Sequence, residues 1–183
     1  MDKNITNILK LCEILLKEHS WALGVIAFDW ANRIHKEYTI ETYDIFYVWL
    51  KKYVRGWGDC DDFCTHAFGQ LLIQYKELFN NILEWTEDED FWVRRASAVI
   101  LIPAILRNDY DGISPFEISD RLLNDKNELV CKGYGWMLKA LSTVDEKAVI
   151  DYLEEKHSSM PRVSFRYALE KVSAEKRRYL MEL

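Results

Sequence analysis

The stretch "WVRRASAVILIPAIL" (Trp92–Leu106) reads as a helix, and three other segments of the chain can be laid on it. They are "GDCDDFCTHAFGQLL" (Gly58–Leu72), "LVCKGYGWMLKAL" (Leu129–Leu141) and "VSFRYALEKV" (Val163–Val172). Matching their small and apolar positions brings Asp61, Arg95, Lys132 and Arg166 into register, at separations of 34, 37 and 34 residues. Upstream, "HSWALGVIAFDWANRI" (His19–Ile34) fits the same template. That spacing is the length of a two-helix repeat, and neither a tetratricopeptide nor an ankyrin signature is present. The reading is therefore all-α: a right-handed α-solenoid of HEAT-like two-helix repeats with a concave groove, forming one domain over residues 1–183. Equivalent positions of stacked repeats share one surface, so one carboxylate and three cations should line that groove. The alternative is that these polar residues at helix starts only solvate or cap.

The rest of the chain agrees with this class. Runs of alternating Val, Ile and Thr bounded by turn pairs are missing, whereas "ITNILKLCEILLK" sets Ile5, Ile8, Leu9, Cys12, Leu15 and Leu16 on one stripe. Further helices are expected over 21–35, 40–53, 61–75, 76–84, 91–106, 115–123, 128–141, 146–155, 162–171 and 175–181. Ser114 with Pro115 reads as an N-cap followed by a first-turn proline, and Asp145 as another helix start. Seven Gly and three Pro in 183 residues leave few turns. Apolar residues at 49% and charged residues at 30% are those of an ordinary globular protein. No apolar run nears the roughly 18 residues of a membrane span. The first ten residues lack the apolar core of a signal peptide. Cys12, Cys60, Cys64 and Cys131 show no metal-ligand spacing, and the four His are scattered. A cytoplasmic monomer without metal, cofactor or membrane partner is expected, in a reducing compartment. Cys60 and Cys64, four apart, read as core packing.

Charge is uneven. The net −6 argues against wholesale binding to a polyanion, yet residues 1–90 hold 9 Lys/Arg against 16 Asp/Glu and residues 91–183 hold 15 against 14. A basic face in the second half is thus open. The acidic half contains "VRGWGDCDDF" (Val54–Phe63), where Trp57 and Asp61 lie four apart and share a helix face. In the third segment Gly133 and Gly135 flank Tyr134 and precede Trp136. Each glycine costs a helix up to about 1 kcal/mol relative to Ala, so either helices pack tightly there or something approaches the backbone closely.

Together W-x-x-x-D (Trp57, Asp61), W-V-R-R-A (Trp92–Ala96) and K-G-Y-G-W-x-L-K (Lys132–Lys139) resemble the AlkD-like DNA alkylation repair glycosylases, a family of HEAT-like solenoids. The resemblance runs from about Ser20 to the C-terminus, in the same order and with similar spacing. It implies catalytic roles for Trp57, Asp61 and Trp136, and DNA contact by Arg95, with Lys132 and Arg166 as further phosphate contacts. Arg166 stands in "SFRYA", a loose match to the family's S-R-R-E-A. The implied partner is double-stranded DNA with alkylated bases, bringing the protein to the nucleoid. The implied activity is excision of cationic N3- or N7-alkylpurines, with Asp61 stabilising an oxocarbenium-like sugar and orienting water. Three departures stand beside it. By this resemblance about one N-terminal repeat of the family is expected to be lacking, Gly56 replaces the first of two adjacent tryptophans, and Asp59 and Asp62 should raise the Asp61 pKa by like-charge repulsion. Asp59 and Asp62 themselves read as solvent-facing or capping. A catalytically inert DNA-structure binder or protein-interaction scaffold is the alternative function.

Overall fold

A computed structural model describes residues 5–183, so the first four residues of the expected domain lie outside the described part. Among the described residues there is no strand. The helices are α1 (Ile5–Leu16), α2 (Trp21–Arg33), α3 (Thr42–Tyr53), α4 (Trp57–Thr65), α5 (Ala67–Gln74), α6 (Phe79–Glu84) and α7 (Phe91–Val99). They continue with α8 (Ile102–Leu106), α9 (Pro115–Leu122), α10 (Glu128–Leu141), α11 (Glu146–Lys156), α12 (Arg162–Ala168) and α13 (Ala174–Glu182). Four short 3-10 turns join or extend them.

Helix starts follow local chemistry. Ser114 Oγ accepts from Glu117 N with Pro115 at the first helical position, and Asp145 accepts from Ala148 N. Two helices expected as continuous are each broken in the middle, at equivalent places. Pro103 lacks an N–H and its ring would clash with the carbonyl of Val99, so α7 ends there and α8 begins anew. The break between α4 and α5 falls at His66, 34 residues earlier than Ile100. There the Thr65 hydroxyl donates to Asp61 O at 2.6 Å and His66 Nδ1 bonds Asp62 O at 2.8 Å, so side chains take carbonyls of the last turn. Gly69 completes the bend, because a Cβ there would lie 2.4 Å from Cys64 O and 2.9 Å from Pro103 Cγ.

The helices of the in-register segments lie side by side in one row. α2 packs on α4 and α5, α4 on α7, α5 on α8, α7 on α10, and α10 on α12. α3, α9 and α11 back this row, and α13 packs on α11. Between the row and its backing sits an aromatic core in which Phe28 stacks on Phe63 at 4.4 Å and Phe46 meets Phe63 edge-on at 5.2 Å. Each such pair adds about 0.5–1.5 kcal/mol beyond its buried area. Trp49 and Trp85 are buried with them, whereas Trp21, Trp30 and Trp57 are exposed. All four cysteines are free and buried, and burial pushes the Cys12 thiol up to about 11 and Cys64 well above its ordinary value. Neither is a ready thiolate.

The two glycines of α10 serve different neighbours. A Cβ on Gly135 would lie 2.9 Å from Ser164 O and 3.0 Å from Ser164 Cα, so this residue sets how closely α12 approaches α10. Backbone cannot swing aside as a long side chain can. Gly135→Ala should therefore cost about 1–2 kcal/mol net, overpacking outweighing the gain in helix propensity. Chemical denaturation of both proteins measures it, and an unchanged midpoint would count against the close packing.

Candidate active site and nucleic-acid interface

The site begins at the first turn of α4. Gly56 is its N-cap in extended conformation, and Asp59 Oδ2 reaches back to accept from Arg55 N at 3.2 Å. Asp59 thus closes the helix start. Trp57, the first helical residue, is 64% exposed. One turn on, Asp61 points across to α7, where Arg95 holds it in a fork. Arg95 Nε and Nη2 donate to Oδ1 at 2.9 and 2.8 Å, and Nη2 also donates to Oδ2 at 2.9 Å. The remaining arm, Nη1, donates to Leu129 O on α10.

Gly133 explains how the arginine passes. A Cβ there would lie 3.1 Å from Arg95 Cγ and 3.3 Å from Nη1, so the glycine leaves the space in which the side chain lies along α10. Three successive helices of the row therefore meet on one guanidinium. An always-charged fork with planar geometry suits this better than any other side chain.

That geometry bears on two expectations. Arg95 is only 5% exposed and four of its five N–H donors bond Asp61 or Leu129, so most of its hydrogen-bonding capacity is used within the protein. The Asp61 carboxyl does sit above its usual range, but burial raises it and Arg95 opposes the rise; Asp59 and Asp62 are not the cause. Asp62 pairs with His66 at 3.2 Å, and its own carboxyl is raised chiefly by burial, with His66 opposing and Asp29 and Asp59 adding to the rise.

A cleft of about 430 Å³ opens over this pair, walled by Trp57, Asp61, Arg95, Lys132, Trp136 and Tyr167. Five of the six residues singled out in the sequence thus converge. Lys132 bonds Glu128 at 2.6 Å on the same helix, which keeps its ammonium at the rim. Arg166 is the exception. It lies beyond Tyr167 in an adjoining groove with Arg162, Arg177 and Arg178. Tyr167 and Lys139 line the cleft and were not anticipated. Trp21 lies outside this cleft, against the start of α4: a Cβ on Gly58 would lie 3.2 Å from its Nε1, and the indole is 66% exposed.

Asp61 thus shares one cleft with Trp57, Trp136 and Tyr167, with Lys132 and Lys139 also on its wall. The family model described as DNA alkylation repair enzyme matches residues 1–172. The chain belongs to that family. No curated protein matches it. A solved structure from Enterococcus faecalis, described as a predicted DNA alkylation repair enzyme, superposes with a TM-score of 0.72 over 92% of this chain and 83% of that one. At 15% identity that likeness concerns the all-helical fold alone. The family match ends at Val172, so α13 lies beyond it. No helix among the described residues is long and apolar enough to cross a membrane.

Proposed function

We propose that this family member is a DNA glycosylase that excises N3- or N7-alkylated purines from duplex DNA. The helix row is then a short right-handed HEAT-like solenoid with the cleft on its concave side. The observation that carries this reading is the convergence of Trp57, Asp61 and Trp136 on one cleft, with Arg95 fixing the carboxylate. Alkylation at N3 or N7 leaves the purine positively charged, so the base departs as a neutral leaving group. As the C1′–N bond breaks, its electron pair moves into the base and positive charge passes to the sugar. Water oxygen then bonds C1′, and its proton passes to the Asp61 carboxylate and on to solvent. An anion fixed beforehand stabilises the developing sugar cation without reorganising. Trp57 and Trp136 add their negative π faces, while Lys132 and Arg166 hold phosphates.

Asp61 can do this while paired. Oδ1 accepts two bonds and Oδ2 one, which leaves Oδ2 an unused acceptor site. The competing reading is an inert DNA-structure binder or protein scaffold, and one observation favours it: Arg95 already neutralises the carboxylate. Incubation with N-methylated duplex DNA separates them. The glycosylase releases free methylpurine and leaves an equal number of abasic sites; the inert protein releases none.

Trp57→Ala should leave folding within about 0.5 kcal/mol, since the side chain is largely solvent-exposed. It should lower the maximal rate of base release at least tenfold, about 1.4 kcal/mol of transition-state stabilisation. A variant with full activity would remove Trp57 from the mechanism.

A further inference from the structure

Beside the cleft lies a larger groove, about 860 Å³, between α12 and α13. Arg162 and Arg166 reach it from α12, Arg177 and Arg178 from α13. All four are exposed, and none forms an ion pair among the described residues. The groove's one acid, Glu170, is bonded to Lys139 at the edge of the cleft. In a chain of net −6, four uncompensated arginines around one groove are a local reversal of sign.

α13 is held so as to present them. Leu180 is buried, Lys176 bonds Glu146 of α11 at 2.7 Å, and Ser173 N donates to the same carboxylate at 2.9 Å. Lys176 is thereby consumed on the α11 side, while Arg177 and Arg178 line the groove. Tyr167 walls both the groove and the cleft, so the two are one continuous surface.

We propose that the α12–α13 groove grips the phosphodiester backbone of the duplex whose nucleotide occupies the cleft. α13, beyond the family-matched residues, supplies Arg177 and Arg178 to that grip. The inference rests on the glycosylase reading for its ligand. Guanidinium forks match phosphate oxygens in pairs, and continuity with the cleft makes DNA, not an acidic protein, the occupant.

The test is binding of an unmodified fluorescent duplex across a salt series, wild type beside Arg177→Ala/Arg178→Ala. Each lost phosphate contact flattens the plot of log K against log salt by about 0.9, so the double variant should lose about 1.8 from the slope. Its helical spectrum should match wild type, because both side chains are exposed. Asp61→Asn should keep the wild-type slope, which separates grip from chemistry. A double variant with the wild-type slope overturns the role of α13 and leaves the glycosylase reading standing. A wild type that binds no duplex overturns both. Polyglutamate that competes as well as duplex at equal charge would instead assign the groove to an acidic protein.

Discussion

Asp61→Asn is expected to lower the maximal rate of methylpurine release at least a hundredfold, with little change in the substrate concentration at half-maximal rate. The carboxylate meets positive charge only as the sugar becomes cationic, so the lost interaction belongs to the transition state and appears in kcat. A hundredfold is about 2.7 kcal/mol, the lower end of what one preorganised electrostatic group supplies. The substitution keeps the shape of the side chain and an acceptor for Arg95, but leaves a guanidinium whose side chain is 6% exposed without its counter-charge. A stability loss of about 1–3 kcal/mol should accompany it. Rates are therefore compared on protein shown to be folded at the assay temperature. A variant that retains more than a tenth of the wild-type rate would relieve Asp61 of its role.

Arg95→Ala should be the most destabilising substitution in the site. It strips a carboxylate and the Leu129 carbonyl of a shared donor in a mostly buried place. Removing one partner of such a pair costs about 3 kcal/mol or more. For a domain of this size that lowers Tm by roughly 6–12 °C. The pH behaviour is diagnostic. Burial holds the Asp61 carboxyl above its usual range and Arg95 opposes it, so losing Arg95 raises the carboxyl further. A reaction that needs the carboxylate fails as pH falls through that pKa. The acid limb of the rate profile should therefore move to higher pH in the variant. Stability moves in a linked way: a carboxyl raised on folding favours the native state in acid, and that contribution fades as pH rises through the native pKa. The variant's deficit against wild type should thus be smallest at low pH and grow toward neutrality. An unmoved acid limb would mean that a different group titrates.

Much of this site could be read from the chain because a repeat makes spatial neighbours of residues 34 apart. Asp61 and Arg95 were aligned on that ground alone, and they touch. Register could not say what the alignment was for. An arginine is long enough to reach back to the preceding helix, and Gly133 gives it room; three separate segments had to be placed before the ion pair could be seen. Arg166 shared the register but not the environment. Its neighbour Tyr167 closes the cleft, and Arg166 falls on the far side with the arginines of α13. The helix breaks divide in the same way. Pro103 announces one, while the break at His66 depends on Thr65 and His66 taking carbonyls that a continuous helix would have used. The glycines of α10 were rightly marked for close approach, but only their neighbours show that one admits Arg95 and the other admits α12.

The central claim is that a carboxylate fixed among aromatic faces recognises positive charge on a deoxyribose. Two duplexes test it without turnover: one with a cationic pyrrolidine in place of a single deoxyribose, one with a neutral tetrahydrofuran at the same position. Wild type should bind the cationic duplex at least tenfold more tightly, about 1.4 kcal/mol, and Asp61→Asn should erase the preference. Equal affinity of wild type for the two duplexes would contradict the account.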